Sequence, residues 1–324
     1  IFVNLKPQSD SLILTLPKYK NTVLIILEEW AADVVGTTSN EHNTPNFEDL
    51  AKQGVLFVNA YAPGHRTDEG LISILSGVPP IPVITMIKHP QIFEQFPTIL
   101  DSLIGYQSLF VYGGETEFAN IRAYLKHVKF NQVIDKWSFP LADHQTKWGV
   151  HDEKMFPRAI VAINELKPPF FASILTLSSH EPFDVPSLPT DSVLEIGEKY
   201  RFSVRYTDAE LGKFMKMASQ TKWYSETLFI FVADHGAKIA LNYESHNPKK
   251  FRIPLLFYAK NLPENLKGIE LYQSVSQVSL SKTLYDCLDL NSSQFKYGTN
   301  LFQARQPFVY FQFADGVGGI SNDK

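Results

Sequence analysis

Six short apolar runs set the limits on what this chain can fold into. They read "NTVLIIL" (21–27), "VLFVNAYA" (55–62), "QSLFVYGG" (107–114), "PFFASILTLSS" (169–179), "TLFIFVADHG" (227–236) and "IPLLFYAK" (253–260). Each is continuously apolar rather than alternating, and each is rich in β-branched or aromatic residues. That pattern belongs to strands buried on both faces. Between and after them lie stretches with helical periodicity and end signals: "TPNFEDLAKQG" (44–54), with Thr44 as cap and Gly54 as stop, "TDEGLISILSG" (67–77), "FPTILDSLIGY" (96–106), "DEKMFPRAIVAINEL" (152–166), "SVRYTDAELGKFMKMAS" (203–219) and "SQVSLSKTLYDCLDL" (276–290). Strands alternating with helices predict an α/β fold, a mostly parallel central sheet with helices on both faces. The expected organisation is a linker or edge element over residues 1–20, one domain over 21–324, and a smaller C-terminal subdomain from about 250.

Composition narrows the functional classes. A formal net charge of -4 over 324 residues argues against a general nucleic-acid binder. The single cysteine, Cys287, can form neither an internal disulfide nor a thiolate zinc cluster. No stretch reaches the roughly 20 apolar residues that span a bilayer, and no signal peptide is visible. The sequence begins at Ile1 rather than Met, so a preceding segment is expected.

In open α/β sheets, ligands bind beyond the carboxyl ends of the strands. Four such ends carry useful chemistry here: Glu28 after "VLIIL", Thr67 in "HRTDEG", His180 after "LTLSS", and Asp234-His235 after "FIFVA". Each has an ordinary explanation alone. Thr67 is well placed to be a helix N-cap, and His180 to bond within a turn. Together they form a coherent set. Glu28, Asp234 and His235 offer two carboxylates and an imidazole, suited to one divalent cation, with Mn²⁺ or Zn²⁺ expected. A cation beside Thr67 would favour its alkoxide, and the N-terminus of the next helix would seat a phosphate. Thr67 is therefore expected to serve as both cap and nucleophile. His246 and His180 are the candidates for a second ion.

The strings "VLIILEEW", "TPNFEDLAKQGVLFVNAYAPGHRTDEG", "VYGGETEFANIR", "KWGVHDEKMF", "TLSSHEPF", "FVADHG" and "FRIPLLFYA" run in the order seen in lipoteichoic acid synthases and their relatives, from about residue 20 to 302. The chain thus resembles the sulfatase-like branch of the alkaline phosphatase superfamily. The resemblance implies metal ligation by Glu28, Thr67, Asp234 and His235, with Thr67 as nucleophile and His180 at the substrate or leaving group. It also implies Arg122 holding substrate phosphate, with Trp148, His151 and Asp152 lining the pocket. Relatives carry a histidine early in the loop that here reads "VYGGETEF", and neither Tyr112 nor Glu115 is its equivalent. Formylglycine sulfatases use a C/S-x-P-x-R string, which "HRTDEG" is not.

The activity expected from this resemblance is that of a metal-dependent transferase. It would move a phosphoglycerol-type head group from a phospholipid to a glycan, lipid or water acceptor, through a phospho-threonine. Manganese is the expected ion, with Zn²⁺ or Mg²⁺ as alternatives. Competing readings are a phosphoethanolamine transferase, a phosphodiesterase or a sulfatase-type hydrolase on the same fold, and a non-catalytic lipid-binding or sensor domain. The resemblance further implies attachment to the cell membrane through a missing N-terminal region, with the domain outside the cytoplasm.

Overall fold

The computed structural model of the chain describes residues 2–4, 14–186, 188–189, 194–303 and 308–321. The strands are β1 (Phe2–Asn4), β2 (Asn21–Leu27), β3 (Val55–Tyr61), β4 (Gln107–Tyr112), β5 (Gln132–Ile134), β6 (Phe170–Leu175), β7 (Thr227–Ala233), β8 (Arg252–Tyr258), β9 (Ile269–Leu271), β10 (Val275–Ser276), β11 (Phe308–Phe313) and β12 (Gly316–Ser321). The helices are α1 (Pro45–Ala51), α2 (Thr67–Ser76), α3 (Pro90–Phe93), α4 (Ile121–Val128), α5 (Asp152–Glu165), α6 (Ile196–Ala218) and α7 (Leu280–Cys287).

Nine strands form the main sheet in the order β10-β3-β8-β7-β2-β6-β4-β5, with β9 paired to β3. Only β8 runs antiparallel to its neighbours. Every residue of β2, β6 and β7 is buried, as continuously apolar strands between two helical layers require. Parallel register then fixes the chemistry. Leu27 pairs with Ala233 across β2 and β7, so the next residues, Glu28 and Asp234, leave the sheet side by side.

One expectation changes here. The stretch 96–106 is a series of turns, not a helix. The Ile99 amide donates to Leu75 O (2.7 Å), the Asp101 carboxylate takes the Thr98 amide (2.7 Å), and Gly105 sits at φ +82. The amides of Asp101, Leu103 and Tyr106 bond to carbonyls three residues back, at Thr98 (3.2 Å), Leu100 (3.2 Å) and Leu103 (3.1 Å), so the stretch closes separate turns in place of a helical ladder. From about residue 250 the chain first adds β8 to the middle of the main sheet and then, at its C-terminal end, builds a smaller sheet. The smaller sheet has the order β1-β12-β11 and so joins the two ends of the chain. Its apolar face packs Val309, Phe311 and Ile320 against Tyr61 and Phe251. Within the N-terminal stretch expected to be a linker or edge element, Phe2–Asn4 forms an edge strand and Leu14, Leu16 and Tyr19 are buried, while residues 1 and 5–13 lie outside the described residues.

Thr44 occupies the N-cap of α1, but its hydroxyl accepts from the Gly36 amide (3.1 Å). The cap is supplied from a distance: the Asp208 carboxylate on α6 accepts from the amides of Asn46 (3.0 Å) and Phe47 (2.9 Å). No helix among the described residues is long and apolar enough to cross a membrane.

Candidate active site

At the carboxyl ends of β2 and β7, Glu28, Asp234 and His235 bring ligand atoms within 4.8 Å of one another, and all three are buried. It is the one such group among the described residues. Asp234 is held rigidly. Its Oδ1 accepts from the amides of Glu29 (3.0 Å) and His235 (2.8 Å), and Gln277 Nε2 donates to its carbonyl (3.0 Å). Its Oδ2 is buried without a hydrogen-bond partner. His235 Nδ1 donates to Gly236 O (2.8 Å), which leaves Nε2 facing Glu28 Oε1 at 3.5 Å and Asp234 Oδ2 at 3.6 Å. Fixing one ring nitrogen on a carbonyl so that the other can ligate is the arrangement metal sites use.

Electrostatics point the same way. Burial, then the charge of Glu28, pushes the Asp234 carboxyl well above its ordinary range. Burial also opposes ionisation of Glu28, but the His235 hydrogen bond and the charges of His180 and His235 outweigh it, and the net direction is downward. Burial alone would lower His235, yet Asp234 and Glu28 hold the imidazole up at about 10. Two buried carboxylates and one imidazole thus compete for positive charge. An orphaned carboxylate oxygen and a nitrogen-oxygen donor set both fit a divalent cation.

Thr67 opens α2 against this cluster. Its hydroxyl donates to Glu28 Oε2 at 3.3 Å. It is not the N-cap. That position belongs to Arg66, which makes no side-chain cap, so the Thr67 oxygen is free of the helix and turned to the carboxylate. Two features bring α2 here. Gly70 lets the helix approach the strand, since a Cβ there would lie 2.4 Å from the Asp234 carbonyl oxygen. The small sheet braces the loop before it, with the Gln312 amide donating to Pro63 O (2.9 Å) and its Nε2 to Glu69 Oε1 (2.7 Å).

A cavity of about 200 Å³ opens above Thr67. Its lining mixes the charged and polar residues Glu29, Arg66, Thr67, Asp68, His180, His235 and Lys238 with Tyr112, Phe118, Ile121 and Trp148. His180 Nδ1 contacts Glu181 O (2.8 Å), and its ring stacks on Trp148 at 4.8 Å. Trp148 Nε1 donates to Glu181 O (2.6 Å).

Three expected pocket residues lie elsewhere. Arg122 is half exposed and does not line the cavity; its guanidinium pairs with Glu117 (3.3 Å) and Asp135 (3.3 Å). Ile121 takes the cavity-facing place instead, because one step along a helix turns a side chain by about 100°. His151 is buried against Tyr206, with ring centroids 5.9 Å apart, and burial lowers its pKa. Asp152 is buried beneath the site, accepting from the amides of Leu177 (2.9 Å) and Ser178 (3.2 Å) and from Thr207 Oγ1 (3.0 Å). Burial pushes its carboxyl up to about 6 against those bonds. It positions the segment leading to His180. His246 pairs with Glu244 (3.2 Å) and stands outside the ligand group.

Arg66, Lys238 and Tyr112 line the cavity, although residue type alone did not mark them for it. Their signal was positional: Arg66 precedes Thr67, Lys238 follows "DHG", and Tyr112 ends a strand. Glu115 pairs with Lys136 at 2.6 Å. Burial, with the charges of Glu28, Asp234 and Asp152, pushes the Tyr112 phenol well above its ordinary value.

A parallel sheet that gathers a hydroxyl, two carboxylates and an imidazole at its strand ends has the architecture of the alkaline phosphatase superfamily. The chain belongs to the sulfatase family, whose model matches residues 20–290. It is 24% identical to lipoteichoic acid synthase 1 of Bacillus subtilis over 319 residues, covering 88% of this chain and 48% of that protein. The chain thus spans about half the length of that curated relative. Among solved structures, an alkaline phosphatase superfamily protein from Vibrio parahaemolyticus superposes with a TM-score of 0.82 at 25% identity, over 98% of this chain and 80% of that one. The lipoteichoic acid synthase LtaP from Listeria monocytogenes gives 0.80 at 19% identity, over 94% and 81%.

Proposed function

We propose that this domain transfers a phosphoglycerol-type head group from a phospholipid to an acceptor hydroxyl or water, using Thr67 as nucleophile. The observation that carries this reading is the Thr67 hydroxyl at the start of α2, turned onto a buried, cation-ready cluster. The lipoteichoic acid synthase relatives support the choice of substrate class. Glu28, Asp234 and His235, with Thr67, would hold one divalent ion, manganese by preference. When bound, that ion would supply the positive charge that favours ionised Thr67 and a crowded phosphate.

In this reading Thr67 Oγ1 bonds to phosphorus, and the bond from phosphorus to the lipid alcohol breaks. Arg66, Lys238 and the first amides of α2 balance charge on the non-bridging oxygens. Thr67 enters as the alkoxide, its proton released to solvent, and protonated His180 gives its proton to the departing lipid alkoxide. Neutral His180 then takes the proton of the acceptor hydroxyl or water as that oxygen bonds to phosphorus, and the bond from phosphorus to Thr67 breaks, releasing the Thr67 alkoxide. Because the donor is a membrane lipid, the domain works at the cell membrane, and the resemblance to lipoteichoic acid synthases supports a place outside the cytoplasm.

Incubation with labelled phospholipids, followed by mass measurement of the Thr67 peptide, tests this. A phosphoglycerol adduct is expected. A phosphoethanolamine adduct selects the sister transferase, and metal-loaded protein that binds lipid without forming an adduct selects the binding domain. Sulfate ester hydrolysis should be negligible, because Thr67 cannot become formylglycine.

The two arginines separate in the same framework. Arg66→Ala is expected to weaken inorganic phosphate binding roughly tenfold, as loss of a charged donor does. Arg122→Ala is expected to leave it unchanged and to lower only stability, by about 1 kcal/mol, through Asp135. Calorimetric titration of both variants decides; a larger phosphate effect at Arg122 would reverse the assignment.

A further inference from the structure

Tyr112 ends β4, and its hydroxyl is handled unlike those of several other buried tyrosines. Tyr200 donates to Glu29 O (2.7 Å), Tyr124 bonds Ser76 Oγ (2.7 Å), and Tyr285 donates to Thr98 O (3.3 Å). Tyr112 is 8% exposed and lines the cavity, yet its hydroxyl makes no hydrogen bond to another described residue. A buried phenol normally finds a partner; Tyr19 and Tyr206 also lack one, but neither lines the cavity, so Tyr112 combines an unpartnered hydroxyl with a place beside Thr67. The backbone makes room for the ring: a Cβ on Gly114 would lie 2.6 Å from the Tyr112 hydroxyl oxygen and 2.4 Å from Cζ.

The surroundings give that hydroxyl a purpose. Of the other residues lining the cavity, Phe118, Ala119 and Ile121 carry no side-chain donor, and the Trp148 indole N–H is already taken by Glu181 O. A phosphate ester facing Thr67 has several anionic oxygens to satisfy, and a desolvated one without a donor is costly. Register puts Tyr112 opposite Leu175, which is itself opposite Ile26, two residues before Glu28. The phenol extends from there into the cavity.

We propose that Tyr112 is a substrate-binding residue whose O–H donates a hydrogen bond to a non-bridging oxygen of the phosphate ester beside Thr67. This rests on the phosphate-ester reading of the site. It gives the "YGG" string a reason: the glycine two residues on leaves room for the ring.

The test is calorimetric titration of glycerol phosphate, and separately inorganic phosphate, into Mn²⁺-loaded parental, Tyr112→Phe and Gly114→Ala proteins. Mn²⁺ titration and thermal melting run alongside. Tyr112→Phe keeps the ring and is expected to bind both anions roughly tenfold more weakly, the cost of a hydrogen bond to a charged group. Its Mn²⁺ affinity and melting temperature should match the parent. Gly114→Ala should weaken anion binding in the same direction by displacing the ring. Equal anion affinity in Tyr112→Phe and parent overturns the proposal and leaves the ring a packing element. Parallel loss of Mn²⁺ and anion affinity also overturns it, since the effect would then belong to the cation cluster. A parent that binds neither anion overturns this proposal together with the phosphate-ester reading.

Discussion

Thr67→Ala is expected to lower turnover of a phosphoglycerol lipid by at least about a thousandfold, as removal of a nucleophile does. The fold should survive. The hydroxyl makes one contact, to Glu28 at 3.3 Å, and Arg66 rather than Thr67 occupies the cap position. The cap penalty of about 1 kcal/mol therefore does not apply, and the loss of one hydrogen bond costs no more than about that. Thr67→Ser retains an oxygen but loses the methyl that restricts its rotamer, so partial turnover is expected. Thermal melting paired with turnover decides the matter. A folded Thr67→Ala protein working at the parental rate would falsify the nucleophile assignment.

Asp234→Asn should separate metal binding from stability in an informative way. The parental protein is expected to be stabilised by about 2.7 kcal/mol when Mn²⁺ stands at a hundred times its Kd. Asp234→Asn should lose that stabilisation, because the unpartnered Oδ2 is the oxygen offered to the cation. Metal-free, the variant should melt at or above the parental temperature. Asparagine removes the burial penalty on the carboxylate and its repulsion with Glu28, and these together outweigh the lost attraction to His235, as the net upward shift of the Asp234 carboxyl shows. A metal-free variant far less stable than the parent, with Mn²⁺ stabilisation intact, would show that Asp234 is a structural residue.

How much of the fold and site is legible in the residues alone depends on the range of the forces involved. The strands were readable because burial on two faces leaves a local mark: "VLIIL" and "FIFVA" admit no polar residue. Their polar tips were readable because a carboxylate directly after a continuously apolar run is out of keeping with packing alone, and Glu28 and Asp234 indeed stay buried beyond the strand ends. The end of α2 at Gly77 was equally local, a left-handed residue at φ +63. The stretch 96–106 shows the limit. Its helical periodicity was real, but the Leu75 carbonyl on α2 anchors Ile99 and Gly105 takes φ +82, so the chain closes turns there.

The sequence by itself determined an α/β chain with a hydroxyl, two carboxylates and two imidazoles at strand ends. Tertiary structure decided which of them meet. Register between β2 and β7 set Glu28 beside Asp234, and Gly70 let α2 bring Thr67 to them. One helical step gave the cavity Ile121 and turned Arg122 to Glu117 and Asp135. Asp152 went under the site to hold the chain before His180, although its place in the sequence suited the pocket equally well. Residue type fixes what a side chain can bind; where it points depends on which neighbours the packed sheet and its loops supply, and those come from far along the chain.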